Sequence, residues 1–515
     1  MALSIFFSMP LFLMSGGLLL ICYLVVSFIS YRRLSHIPGP RLWGWSILPL
    51  FHLHGTGQIY NKFGELATKY GPLVRIGPNY LLASDPEVHR RMAAPRSPYT
   101  RSLWYRAARL TPGVDNVLSE IDESRHNELR KRMAAGYSGK ENPHLESDID
   151  ECILDLMNLI NRKYVSADGS VRMEFARKVQ YFTSDIMSKL SFDAKFHDLR
   201  DDNDNYGYIH EVETIYPNIF VVSVIPAVID FFTKLGVLDW VTPSEDSKLG
   251  VGKIQAITRA QIASRFDSEE QPKDGQHDML GSFIRHGLTR KELEQESMLQ
   301  LAAGSDTSAT AIRATMLCIL RDPRVHKKLV AEIDEAVKEH KISSSETEVI
   351  PDAQARTLPY LQAVIKEGMR WFPPIAGLLA KQVPLGGDTI CGRFVPEGTA
   401  IAYSANAIHH SASLFGPDEY TFRPERWIHT SQGGDEPSAA KLSEMERNNE
   451  LLFGYGKYQC LGKGIALMEL NKIYVELLRR FEFTLLHPDD PWKTRCFGIH
   501  LQEGLWVTVK RRNTA

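Results

Sequence analysis

The chain has 515 residues, with 60 Lys and Arg against 62 Asp and Glu. A net charge of −2 leaves no basic excess for a nucleic-acid partner and no acidic excess for a disordered chain, and 43% hydrophobic with 24% charged residues is a globular composition. Six cysteines, none at C-x-x-C spacing, argue against a structural zinc site and against a secreted disulfide scaffold.

Residues 1–31 contain no charged side chain. Within them, 11–29 read LFLMSGGLLLICYLVVSFI, long enough to cross a hydrocarbon core of about 30 Å as one helix. Tyr31, Arg32 and Arg33 follow, so positive charge lies on the C-terminal side alone, which predicts a single-pass anchor with the rest of the chain in the cytosol. A cleaved signal peptide is the alternative, but there is no basic n-region and no A-x-A-like site. The expected division is an anchor over 1–31, a basic and Pro/Gly hinge over 32–45 holding Ile37-Pro38-Gly39-Pro40, and one domain over 46–515.

Short β-prone pieces occur at 73–83, 390–403 and 498–510, and polar loops are expected at 199–206, 265–278, 341–352 and 431–448. His126 and Arg130 lie in a stretch, 125–132, charged enough to be a solvated helix face. Thr289 with Glu292 reads as a capping box opening a helix that runs to about Leu320, where Asp322-Pro323 starts another. Its centre, Leu299 to Gly304, is small and apolar, so the helix must cross the core. Pro359 opens a further helix, ended by Pro373-Pro374, on which Glu367 and Arg370 share a face.

The most informative stretch is Phe453-Gly454-Tyr455-Gly456-Lys457-Tyr458-Gln459-Cys460-Leu461-Gly462, followed by a helical pattern from Ile465. The glycines permit a tight loop, and a cysteine at a helix start gains thiolate character from the backbone N–H groups there. One such thiolate suits haem iron. A dinucleotide loop fails, because position 459 is Gln and no strand precedes it.

This stretch resembles the F-x-x-G-x-x-x-C-x-G signature of the cytochrome P450 monooxygenases, and four further elements follow that family's order. The resemblance implies a mainly α fold with small β-sheets, behind one N-terminal transmembrane helix, and a heme b cofactor whose iron takes Cys460 as axial ligand. Phe453 and Gly454 would border the cofactor. Glu367, Arg370 and Arg426, the last in Phe422-Arg423-Pro424-Glu425-Arg426-Trp427, would form a buried ion network behind the haem; the family more often has Phe where Trp427 stands. Ala303-Gly304-Ser305-Asp306-Thr307 resembles the oxygen-side helix motif, with Asp306 and Thr307 as the catalytic proton relay and Gly304 leaving room for O2; Thr307 bonding its own backbone is the alternative. His126 and Arg130 match a helix that binds a haem carboxylate, and Lys381 occupies a place where an Arg often does so. Two residues before the cysteine the family usually has Arg or His, where this chain has Tyr458.

The resemblance further implies a monooxygenase in the endoplasmic reticulum membrane, most like filamentous-fungal secondary-metabolism members. It would insert one atom of O2 into a lipophilic small molecule, with electrons from NADPH–cytochrome P450 reductase docking on basic residues such as Lys457, Lys463 and Arg132, and with membrane lipid but no nucleic acid as partner. An apolar pocket is expected from 99–118, 215–228 and 375–380. The rivals are an oxygen-independent haem-thiolate isomerase or dehydratase, and a non-catalytic haem-binding protein.

Overall fold

The computed structural model describes residues 23–236, 249–266, 277–429 and 437–512. Helices dominate, with small sheets at the edge. Six helices build the site: α1 (Glu123–Tyr137), α2 (Phe175–Phe192), α3 (Tyr208–Ser223), α4 (Arg290–Arg321), α5 (Pro359–Trp371) and α6 (Lys463–Arg480).

The expected long helix is α4. Thr289 Oγ1 accepts from the Glu292 amide while Glu292 Oε2 accepts from the Thr289 amide at 2.9 Å, closing the capping box. At its far end Asp322 accepts from the Arg324 and Val325 amides, and Pro323 opens the next helix. At 32 residues α4 is about 48 Å long. It lies against α2, whose side chains are nearly all buried. Helix α6 runs beside it, with Tyr474 donating to the Ala311 carbonyl at 3.2 Å and Glu469 beside Ser308.

The larger sheet joins β1 (Leu73–Arg75), β2 (Tyr80–Ala83), β3 (Thr100–Arg101), β4 (Lys381–Gln382) and β5 (Ala400–Tyr403) in the order β1-β2-β5-β4-β3, antiparallel except between β2 and β5. Two expectations need correction here. The polar stretch 431–448 is helical over Ala439–Asn449, because Ser438 caps it by accepting from the Lys441 amide and its residues are good helix formers. The loop at 199–206 likewise begins inside a short helix, Asp198–Asp201.

The apolar span 11–29 lies mostly outside the described residues. From 23 to 33 the chain is helical, and Tyr23 to Val26, Phe28 and Ile29 are about half exposed or more. Among the described residues no single helix is long and apolar enough to cross a membrane; α3 with Pro226–Lys234 passes by length and composition, but the pair is bent by 105°. The Pro/Gly stretch after the helix is docked onto β1. The Arg75 amide donates to the Pro38 carbonyl at 2.7 Å, and the Arg75 guanidinium donates to the carbonyls of Ser30, Tyr31 and Gly44.

Candidate active site

The cysteine loop is two short turns, Glu450–Phe453 and Gly456–Tyr458, ahead of α6. Gly454 sits at φ +71°, and a side chain there would meet the Tyr458 carbonyl at 2.6 Å. The Cys460 amide donates to the Phe453 carbonyl at 2.6 Å, which closes the loop, and Cys460 is exposed. Helix α6 begins three residues later, at Lys463. The balance at the thiol differs from that of a cysteine at a helix start: crowding by protein raises its pKa, while the Gly462 and Lys463 amides and the Arg130 charge pull the other way.

Helix α4 has one break in its burial. Ala303 is exposed and Ala302, Gly304 and Thr307 are half-buried, whereas 299–301, 305, 306 and 308–319 are buried. The α4 and α6 partners (311 with 474, 308 with 469) run in step, so following both helices back brings the cysteine loop toward this break. Gly304 also faces α2: a side chain there would meet Met187 Sδ at 2.3 Å, so its bareness serves the α2–α4 approach. Thr307 Oγ1 donates to the Ala303 carbonyl at 2.8 Å, the backbone-bonded alternative. Asp306 is buried toward α2. Its Oδ1 accepts from Gln180 Nε2 at 2.8 Å, its Oδ2 has no partner, and Gln180 in turn accepts from Arg313. Burial outweighs the Arg313 charge and the Gln180 bond and lifts the Asp306 carboxyl to about 6.

Glu367, Arg370 and Arg426 come together, all at most 1% exposed. Arg370 forks onto Glu367 with Nε and Nη2 both at 2.8 Å, and Arg426 Nε reaches the same carboxylate at 3.0 Å. The Arg423 amide and the Trp427 indole N–H complete it at 2.9 and 2.8 Å. The remaining guanidinium protons go to the carbonyls of His409, Glu419, Phe415, Asp418 and Thr421. Burial alone would raise the Glu367 carboxyl; the two arginines and these bonds hold it below the usual range.

His126, Arg130 and Lys381 gather on another side of the opening. The His126 ring is buried with both nitrogens unpartnered, and burial with the nearby Arg101 and Arg130 charges lowers it to about 3. Arg130 is half-buried and makes no hydrogen bond or ion pair among the described residues. Lys381 is buried and donates to the Tyr105 hydroxyl and the Leu379 carbonyl, with no carboxylate; burial drives its amine well below the lysine range. Arg101, buried on β3, belongs to the same group. No residue pattern singled it out; it fell inside the segment 99–118, offered only as pocket lining. Lys457 points inward, donating to the Ser97 and Tyr99 carbonyls and pairing with Glu123 at 3.0 Å. Arg132 pairs with Glu292 at 3.2 Å and Lys463 with Glu450 at 3.3 Å, both partly exposed.

Heme b is an apolar macrocycle with two carboxylates and an iron that accepts an axial thiolate. These residues fit it: an exposed cysteine, a gap in an otherwise buried helix, and buried cations with fewer carboxylates than charges. Several apolar groups from segments expected to line a pocket come together. Ile375 pairs with Ile499, the Ala376 amide donates to the Gly498 carbonyl at 2.8 Å, and Phe220 of α3 lies against Gly498 and 6.5 Å from the Trp104 ring.

The family pattern described as Cytochrome P450 matches residues 37–505. The chain is 42% identical over 501 residues to cytochrome P450 monooxygenase ABA1 of Pyricularia oryzae, covering 95% of each protein. It is 37% identical over 480 residues to cytochrome P450 monooxygenase aba1 of Botryotinia fuckeliana, covering 92% of each. With cytochrome P450 monooxygenase gsfF of Penicillium aethiopicum it shares 27% identity over 527 residues, 98% of this chain and 99% of that one.

Proposed function

The chain belongs to the cytochrome P450 family, and we propose that it works as a single-pass protein of the endoplasmic reticulum membrane with its domain in the cytosol. It is a haem-dependent monooxygenase that inserts one atom of O2 into a lipophilic organic substrate. Heme b supplies the activation of O2; the chain supplies the ligand, the protons and the walls. Cys460 gives the axial thiolate, and the Gly462 and Lys463 amides with Arg130 favour its charge. Asp306, an acid near pH 6 with a free oxygen, takes up and returns protons, and half-buried Thr307 carries the hydroxyl at the break in the helix's burial. Arg130, His126 and Lys381 receive the haem carboxylates. Glu367, Arg370 and Arg426 hold the chain behind the haem.

The apolar wall formed by Ile375, Ile499, Phe220 and Trp104 suits a lipophilic scaffold. Relatives in Pyricularia, Botryotinia and Penicillium support a filamentous-fungal secondary-metabolite pathway, with terpenoid, polyketide or alkaloid substrates. Electrons come from NADPH–cytochrome P450 reductase, whose acidic surface meets Lys463 and Arg132, Lys457 being committed inward. Exposed apolar side chains over 23–29 support the anchor.

The observation that carries this reading is the exposed Cys460 on its glycine loop ahead of α6. The reduced, carbon-monoxide-bound protein should absorb at about 450 nm, as a thiolate-ligated haem does, and Cys460→Ala should lose the band and the activity. A band at about 420 nm in active protein, or activity surviving in Cys460→Ala, would overturn it.

A further inference from the structure

A second cavity lies outside the site described above. It has a volume of about 250 Å³, between the helix Ile59–Tyr70, the end of α5 and a hairpin of the strands Lys493–Cys496 and His500–Glu503. Its walls are aromatic: Tyr60, Trp371, Phe372, Tyr420, His410 and His500 all line it. The His500 ring centroid is 4.2 Å from that of Phe372 and 5.3 Å from that of Tyr60, and the His410 ring stacks on Tyr420 at 4.5 Å.

The polar groups here are incompletely bonded. Cys496 and His500 are register partners, as are Thr494 and Gln502, so the four side chains leave one face of the hairpin. Three of them line the cavity. His500 is 3% exposed and neither ring nitrogen has a full hydrogen bond, although the Pro373 carbonyl acts on the ring. Gln502 is buried with both amide atoms unpartnered. Buried polar groups left open are costly unless something completes them.

The chemistry of the lining selects the ligand. Among the described residues no Asp, Glu, Lys or Arg lines the cavity, and burial keeps both imidazoles neutral, lowering His500 to about 3 and His410 to about 4. An uncharged lining takes a neutral molecule and rejects an ion. A neutral imidazole presents one donor and one acceptor, which a hydroxyl can meet. A cavity of about 150 Å³ holds one benzene, so this one has room for a substituted ring or two fused rings. The same two segments that frame the cavity also carry the apolar wall. Phe372 runs through two prolines into Ile375, and the hairpin turn 497–499 brings Gly498 and Ile499 against Ala376, Phe220 and Ile375.

We propose that this cavity is a second binding site, for a neutral aromatic molecule of one or two rings bearing a hydroxyl, which slots beside Tyr60 and Phe372, bonds the His500 ring and steadies the hairpin that ends at the apolar wall. Occupancy then reaches the substrate wall from behind.

The test uses the haem-loaded protein and 2-naphthol at neutral pH, where the probe is uncharged. The apolar wall can take naphthol as well, so the site is counted by difference. In equilibrium dialysis the unmodified protein should hold one equivalent more than Asn61→Trp, which enlarges an exposed residue of the lining to fill the cavity. His500→Phe keeps a ring and loses the nitrogens, so affinity at this site should fall about tenfold, as for one bond to a buried group. With naphthol at about ten times its Kd, amide hydrogen exchange over 496–500 should slow about tenfold in the unmodified protein and not in Asn61→Trp. Equal stoichiometry in Asn61→Trp, or undiminished affinity in His500→Phe, overturns the site. Unchanged exchange with naphthol bound overturns the steadied hairpin. If Asn61→Trp does not fold, Thr494→Trp, also exposed in the lining, decides it by the same readings. A missing thiolate band would overturn the haem reading and leave this site standing, which keeps the two failures apart.

Discussion

Two groups of buried arginines lie on different sides of this site, and their charges balance in opposite ways. Around Glu367, two guanidiniums and one carboxylate spend their donors inside the protein, on Glu367, Asp418 and a ring of backbone carbonyls. Around Tyr458, Arg101, Lys381 and Arg130 keep unspent donors or lack a carboxylate. Buried charge is tolerated when it is matched. The first group is matched by the chain itself, so its business is to hold the chain. The second finds no uncommitted carboxylate among the described residues, so its business is with a bound anion. Burial alone does not separate a structural arginine from a binding one; the presence or lack of a partner does.

The sharpest way to break that contrast is Glu367→Ala. It removes the carboxylate shared by both arginines and leaves Arg370 buried with carbonyls only, at a cost of about 3–5 kcal/mol. Against a typical stability of about 5–15 kcal/mol, the variant should be recovered unfolded or without haem, read by the ratio of haem to protein absorbance. Normal haem incorporation would move the Glu367 group out of the structural class.

Asp306 lies between the two classes, one oxygen bonded and one free, and it predicts a pH dependence. Folded, it keeps its proton up to about pH 6, against a reference value of 3.8. Across that window the folded state binds more protons than the unfolded state. Stability should therefore fall as pH rises from about 4 to about 6, by about 3 kcal/mol if the whole shift is expressed, and level off above. Arg313, Gln180 and Glu213 are the groups that act on it. Urea midpoints measured across pH should converge with those of Asp306→Asn at low pH and separate above it; parallel curves would refute the shifted acid. In turnover, Asp306→Asn should slow the whole cycle. Thr307→Ala should keep NADPH consumption and lower product per NADPH by about a hundredfold, the low end of the range for one lost proton-transfer group. An unchanged ratio would leave Thr307 as the backbone-bonded residue seen here and reopen the oxygen-independent isomerase.

Residues whose partners are near in sequence or set by a spaced motif were legible before the structure. The cap of α4 at Thr289 and its stop at Asp322-Pro323 are local chemistry. Glu367 and Arg370 share a helix turn. Arg426 is 59 positions beyond Glu367, and only the family resemblance linked them. What local chemistry does not encode stayed hidden. Arg101 lies on a two-residue strand with no periodicity of its own, and its meaning comes from Lys381, 280 residues away, across the ladder. The inward turn of Lys457 follows from Ser97 and Tyr99, which no spacing rule connects to the cysteine loop. That Gly304 also makes room for Met187 of α2 stayed hidden too, because a bare position in a helix does not say which neighbours need the room.

The smallest expected effect tests the matched group most finely. The Trp427 indole N–H donates to Glu367 Oε2 at 2.8 Å. That oxygen also accepts from Arg370 Nε at 2.8 Å, so losing the indole leaves it bonded. Trp427→Phe therefore removes one donor from a carboxylate that retains both arginines and the Arg423 amide. The bond itself is worth about 1 kcal/mol net in so crowded a set, and the smaller ring adds a modest packing loss. The Trp427→Phe protein should load haem normally and lose only a few degrees of thermal midpoint. A collapse as deep as that of Glu367→Ala would mean that the group has no redundancy and that each donor is separately required. A mild effect would show the asymmetry expected of a closed charge network: it survives the loss of one donor among several, but not of the acceptor they share.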